Sequence, residues 1–207
     1  MRLVIFGPPA VGKGTHAARV SATCGIPHLS TGDMLRAAIA QGSRVGARAK
    51  AIMAKGRLVP DPIVLEIVSA RTAEADCAQG FILDGFPRTL RQAKAFDRVL
   101  RSRKLVLDHV IAIEADEAVL VQRVINRANE ARAAGKPVRP DDDPEVFRKR
   151  LKVYRAETAP VLPYYRRKGK IRMIDGMKSV DDVAVQIDAA LTASPPRKFW
   201  LWRWLGC

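Results

Sequence analysis

Cysteine is scarce in this chain of 207 residues, and the three present, Cys24, Cys77 and Cys207, are scattered and outside any C-x-x-C spacing. That speaks against a disulfide framework and against a structural zinc site, and it fits a reducing cytoplasm. Histidine is equally sparse: His16, His28 and His109 have no metal-ligand spacing and read as core or surface residues. No apolar run approaches the ~20 residues that span a bilayer. Met1-Arg2 leads straight into an apolar stretch, so no signal peptide is expected. Acid is in deficit, with 21 Asp and Glu against 36 Lys and Arg, giving a formal charge of +15. Such a balance favours polyanionic partners, whether nucleotides, nucleic acids or acidic membranes. Taken singly, the basic clusters at 101–104, 148–152 and 166–170 read as solvated helix faces or loops.

What is present is organised around residues 3–16, LVIFGPPAVGKGTH. A short apolar run ends in a glycine-rich turn and a helix-forming stretch follows: a buried strand, a loop and a helix. Gly7 to Lys13 spells G-x-x-x-x-G-K. Glycines let the backbone turn back so that successive N–H groups cradle phosphate oxygens. The helix dipole adds positive potential, and Lys13 adds a mobile cation. Gly14 separates the lysine from Thr15, which departs from the general form of this loop.

Along the chain, apolar strands alternate with helices. Strands are expected at 3–6, 80–84, within 105–114 and at 170–174, with 28–30 a short extended piece. Helices are expected after Thr31 and Asp61 as caps (the latter running to about Asp76), and after Thr89, Asp116, Asp143 and Ser179. Residues 132–143 read as an exposed loop, and Pro160 and Pro163 should disturb the long helix from Pro144. The alternation implies an α/β fold, a parallel sheet covered on both faces, with ligands at the strand carboxyl ends. Gly7–Thr15 and Asp84–Arg88 both fall there.

GPPAVGKGT at 7–15, STGDMLR at 30–36, KGRLVPD at 55–61 and FILDGFPRTLRQA at 81–93 resemble the adenylate kinases, in order and at their spacing. VRPDD at 138–142 and RKRL at 148–151 continue the resemblance, which covers residues 1 to about 192. GKGT is this family's own form of the loop. The resemblance implies a P-loop three-layer α/β/α fold whose core is 1–29, 60–125 and 142–192. It implies a helical monophosphate-binding insertion at 30–59 and a short lid at 126–141, without cysteine and hence without zinc. The lid carries an extra Ala133-Ala134-Gly135-Lys136-Pro137.

The same resemblance implies reversible transfer from Mg-ATP to AMP, giving two ADP, by a cytoplasmic monomer. Such transfer needs alignment and neutralised charge more than covalent help, and converging arginines supply both. Arg36 and Arg88 are expected on the AMP phosphate, Arg123 and Arg127 on ATP phosphates, and Arg139 and Arg150 on the transferring group. With Lys13, the last five form the implied catalytic set. ATP is expected against Ala10, Val11, Gly12, Lys13, Gly14, Thr15, Arg127 and the backbone of Lys178. AMP is expected against Thr31, Arg36, Arg57, Leu58, Val59, Gly85, Phe86, Pro87, Arg88 and Gln92, with Arg139 and Arg150 above it. The Gln92 amide offers a donor beside an acceptor, which suits an adenine edge. Asp84 would hold magnesium through water.

The rivals are another monophosphate or donor base, and a basic nucleic-acid-binding protein in which the paired monophosphate motifs would have no purpose. The segment SPPRKFWLWRWLGC from Ser194 lies outside the pattern and holds all three tryptophans, Trp200, Trp202 and Trp204. Its composition is that of interfacial membrane binders. Folding back on the core, pairing with another chain and a disordered end are the competing readings.

Overall fold

The apolar runs assemble into one parallel sheet. The computed structural model describes residues 1–138 and 142–192. Its strands are β1 (Arg2–Phe6), β2 (His28–Ser30), β3 (Phe81–Asp84), β4 (His109–Glu114) and β5 (Ile171–Asp175), in the order β2-β3-β1-β4-β5. Val4 of β1 stands beside Leu83 of β3 and Val110 of β4. The helices are α1 (Lys13–Cys24), α2 (Thr31–Ala40), α3 (Arg44–Ala54), α4 (Asp61–Arg71), α5 (Leu90–Ser102), α6 (Glu117–Ala133), α7 (Pro144–Val153), α8 (Leu162–Arg167) and α9 (Val180–Thr192).

Alternation along β1 builds two cores. Val4 and Phe6 face one layer, with Phe81, Phe86, Phe96 and Tyr165. Leu3 and Ile5 face the other, with Val20, Ile111, Ile113 and Ile187. Both faces of the central strands are therefore apolar and covered, as a parallel sheet requires. Phe96 of α5 meets Phe86 edge-on, ring centroids 5.2 Å apart, and so ties α5 to the turn after β3.

Several local expectations shift. Ser30, not Thr31, caps α2: its hydroxyl accepts from Asp33 N at 3.2 Å. Thr31 is drawn instead to the end of β3, where its hydroxyl donates to Gly85 O at 2.9 Å. Pro60, not Asp61, stands at the cap of α4, because the Asp61 carboxylate is engaged by α5. α4 stops at Arg71, short of Asp76; Thr72 turns its hydroxyl onto Val68 O at 2.7 Å, and Ala75–Cys77 form a separate 3-10 turn. β4 keeps to the HVIAIE expected within 105–114, and Leu105 N closes α5 on Leu100 O at 2.8 Å. Asp116 stands at the cap of α6 but makes no cap bond with its side chain. After α7 the chain passes through a π-helical segment, Tyr154–Thr158, and a 3-10 turn, Ala159–Val161, before α8, where Pro160 and Pro163 bar a continuous helix.

Candidate active site

The loop after β1 is shaped by close packing. A Cβ on Gly7 would lie 2.7 Å from Ile113 O, with φ at +153°. The turn carries the chain to Gly12, from which α1 rises. Lys13 curls over the loop, its Nζ donating to Gly7 O at 2.9 Å and Pro8 O at 2.7 Å. Burial lowers its pKa to about 8; Asp84 opposes this, while the charges of Arg88, Arg150 and Arg127 add to it. Those three arginines come from elements far apart in sequence, line the same cavity and act on one ammonium through their charges. An anion at their centre would relieve the repulsion among them.

Asp84 ends β3 beside the loop. Burial would raise its pKa, but His28, at 3.4 Å from Oδ2, and the charges of Lys13 and Arg88 outweigh that and hold it low. The carboxylate is thus ionised amid cations, the state a divalent cation or its waters require. His28, read from sequence as a core or surface residue, stands in the wall of the cavity. No signal in the sequence paired it with Asp84; the parallel register of β2 on β3 does.

The turn after Asp84 is held by a network. Arg88 Nε donates to Gly85 O at 2.6 Å. A side chain on Gly85 would collide with the Arg88 guanidinium at 2.8 Å and Thr31 Oγ1 at 2.9 Å, and its φ of +76° favours glycine as well. Thr158 Oγ1 donates to Arg88 O at 2.9 Å, and Arg88 N donates to Gln92 Oε1 at 2.7 Å. Gln92 Nε2 in turn donates to Asp61 Oδ1 at 2.7 Å, and Thr89 Oγ1 donates to Asp61 Oδ2 at 3.1 Å. Asp61 therefore fixes the rotamer of Gln92, and Gln92 and Thr158 fix the backbone of Arg88. Thr158 carries no sequence signal, because a π-helical segment aims it.

These elements enclose a cavity of about 620 Å³ at the carboxyl edge of the sheet. Ala10, Gly12, Lys13, Gly14 and Thr15 line it from the loop, and Arg36, Arg57 and Leu58 from the α2–α3 side. Asp84, Gly85, Phe86, Pro87 and Arg88 line it from the turn after β3, and Arg127 and Arg150 from α6 and α7. Arg36 is paired with Asp33 at 2.5 Å, and Arg127 with the buried Asp142. Other expected residues stand back from the wall. Val11 and Val59 are core residues, and Thr31 and Gln92 are buried behind Gly85 and Arg88. Arg123 donates to Gly176 O at 2.9 Å, and Lys178 is exposed beyond β5. Arg139 lies outside the described residues. Among the described residues, no group of three or more His, Cys, Asp or Glu could hold a metal ion.

A glycine cradle, the basic side chains of Lys13, Arg36, Lys50, Arg57, Arg88, Arg127 and Arg150, and the ionised Asp84 around one cavity suit phosphorylated ligands. The family model for adenylate kinase matches residues 5–170. An adenylate kinase of Mesorhizobium japonicum is 54% identical over 194 residues, covering 94% of this chain and 98% of the relative. One from Sinorhizobium medicae is 54% identical over 191 residues, 92% of this chain and all of the relative. One from Nitrobacter winogradskyi is 52% identical over 206 residues, 99% of this chain and all of the relative. With the P-loop, the DGFPR turn and the converging arginines in one cavity, the chain belongs to the adenylate kinase family.

Proposed function

We infer that the cavity carries reversible phosphoryl transfer between ATP and AMP, giving two ADP. The observation that carries the reading at residue level is that Lys13, Arg88, Arg127, Arg150 and Asp84 line one cavity, near enough for the charges of all four others to act on Lys13. A phosphate oxygen of AMP attacks the γ-phosphorus of ATP in line, and the bond to the departing ADP oxygen breaks. Negative charge spreads over the transferring oxygens, and fixed cations stabilise it there without reorganising.

ATP phosphates lie against the backbone of Ala10 to Thr15 and under Lys13, with Arg127 and Arg123 above them. Arg36 and Arg88 hold the AMP phosphate, and Arg139 and Arg150 bridge the transferring group. Magnesium, bound with ATP, neutralises phosphate charge, and Asp84 is the residue to hold its waters. Thr31, Arg57 to Val59, Gly85 to Pro87 and Gln92 enclose AMP. Residues 30–59 act as the AMP-binding insertion and 126–141 as the lid over a core formed by the remainder of 1–192. Two separate polyanions must enter and water must then be shut out, so the insertion and lid close on the core. Gln92 still has an N–H and an oxygen lone pair beyond its two bonds, enough for an adenine edge. The enzyme works as a cytoplasmic monomer, with 194–207 as a contact to a membrane or partner.

A panel of donors and monophosphates tests the substrates; equal use of UMP or CMP and AMP would overturn the base assignment. Lys13→Ala and Arg88→Ala test the site. Each should lower turnover at least ~100-fold with the fold retained, since each removes charge from a preorganised transition-state site. Near-normal turnover in both purified variants would refute the assignment.

A further inference from the structure

α5 turns a basic face outward. Its 13 residues hold four cations, Arg91, Lys94, Arg98 and Arg101, and a single acid, Asp97. At ~3.6 residues per turn the four cations fall within about 80° of arc, and they run about 15 Å along the helix axis. All four are exposed. Asp97 lies on the inner side: it is 8% exposed, accepts from Tyr164 Oη at 2.6 Å and pairs with Lys168. The acid of the helix is thus taken up beneath the surface and does not offset the face above it.

Cations around this face have partners, and those on it do not. Arg71 pairs with Asp76 and Glu74, Arg155 pairs with Glu117, and Arg103 donates to Ser69 O at 3.1 Å. Among the described residues, no carboxylate pairs with Arg91, Lys94, Arg98 or Arg101, and no acceptor receives their side-chain N–H groups. α4 flanks α5 and runs the same way, with Asp61 beside Gln92 and Ser69 beside Arg103. Its exposed acid, Glu66, makes no ion pair with the face, and neither does the exposed Glu157 after α7.

Leu90, Arg91, Lys94 and Arg98 line a concavity of about 330 Å³, which shares no lining residue with the nucleotide cavity. Like charges gathered without a counter-charge favour an anion between them. The face has no exposed aromatic ring and no exposed large apolar side chain, and Leu90 is half-buried. A bilayer surface takes apolar and aromatic side chains, an unpaired nucleic acid stacks its bases on rings, and a protein interface closes around an apolar core. α5 supplies none of these. It suits a ligand that is charged along its whole length and slender enough to lie in the hollow. A nucleic-acid duplex would bridge over the hollow and touch the face only with its outermost phosphates.

We propose that the outer face of α5 is a second anion site, separate from the nucleotide cavity, that binds inorganic polyphosphate. Every phosphorus of such a chain carries negative oxygens, and a guanidinium forks onto two of them at once. Arg91, Lys94 and Arg98 hold the chain at the hollow, and Arg101 continues the track one turn further along α5.

Binding of end-labelled polyphosphate to the full chain is read by fluorescence anisotropy, with a bisubstrate analogue saturating the nucleotide cavity. Two charge reversals of equal size separate place from net charge: Arg91→Glu, Lys94→Glu and Arg98→Glu on the face, and Lys104→Glu, Arg166→Glu and Arg167→Glu after α5 and at the end of α8. The wild type should bind with the cavity filled, and four contacts should weaken binding about 50-fold between 50 and 200 mM salt. The α5 reversal should weaken it by about 10-fold or more, and the other reversal should stay within about 3-fold. Phosphoryl transfer should persist in both, since none of the six residues lines the nucleotide cavity, and its persistence shows that the variants fold. Polyglutamate of matched charge and duplex DNA should each compete at least ~10-fold less well than unlabelled polyphosphate. Equal loss in both reversals would reduce the effect to net charge, and release by the bisubstrate analogue would place the ligand in the nucleotide cavity. Equal competition by polyglutamate or duplex DNA would assign the face to an acidic protein or a nucleic acid. Each of these results, or no binding at 50 mM salt, would overturn the proposal.

Discussion

Nucleotide binding should draw a proton onto Lys13. Its pKa falls from 10.5 to about 8 because the ammonium is buried with Arg88, Arg150 and Arg127 nearby and only Asp84 to oppose them. Polyphosphate oxygens favour the charged form and should restore a value near 10.5 or above. The sign follows. Above pH 8 the free enzyme has lost the proton that the bound enzyme keeps, so binding takes it up and affinity falls as pH rises. With 8 free and 10.5 bound, uptake at pH 9 is about 0.9 proton, and affinity drops about 20-fold between pH 7.5 and 9.5. The full coupling is on the order of 3 kcal/mol. The measurement is calorimetric titration of a non-hydrolysable ATP analogue with magnesium at pH 9, in buffers of different ionisation enthalpy. Lys13→Met keeps the stem and removes the charge, so it should bind more weakly without uptake. No uptake by the wild type, or the same uptake by Lys13→Met, would refute the reasoning. The same depression acts on folding: charging Lys13 costs the native state below about pH 8, so this group's contribution to stability rises with pH from 8 to 10.5.

Asp61→Ala leaves the Gln92 amide without its acceptor and should raise KM for AMP about 10-fold or more, the worth of a hydrogen bond to a charged group, with KM for ATP little changed. Equal shifts in both constants would show a general loss of structure instead. Gln92→Ala should cost roughly 1–3 kcal/mol of selectivity for AMP over other monophosphates, read from kcat/KM ratios; an unchanged ratio would remove Gln92 from base reading. A bisubstrate analogue spanning both sites should protect amides in 30–59 and 126–138 from hydrogen exchange, whereas unchanged exchange at tight binding would contradict closure. Gly46→Ala places a Cβ 2.1 Å from Ala38 O, where α3 crosses α2 on backbone contact. It should destabilise by about 1–3 kcal/mol and lower Tm; an unchanged Tm would mean that the two helices separate at no cost.

Tryptophans confined to 200–204 and a basic balance were plain in the sequence, as were the phosphate loop, the DGFPR turn and the alternation of strands and helices. Each is written in contiguous residues. A run of Leu, Val, Ile and Phe ending in glycines states a strand, a turn and a helix start by local sterics and hydrophobic pattern alone. Caps and partners needed the folded chain. Ser30 and Thr31 are both good cap residues, and only the position of Gly85, 54 residues on from Thr31, decides which one caps and which reaches across. Asp61 before Pro62 has the sequence of a helix cap, yet a glutamine 31 residues away claims it. The depressed lysine pKa comes first from burial in the assembled site and then from the charges of Arg88, Arg150 and Arg127, which no spacing in the sequence relates. Parallel topology also sorts charge by edge. Carboxyl ends of the strands carry the cavity, while amino ends gather Arg101–Lys104, Arg166–Lys170 and the end of α9 on the opposite side. Sequence lists those basic clusters separately, and it is the sheet order, β4 beside β5, that makes them one surface.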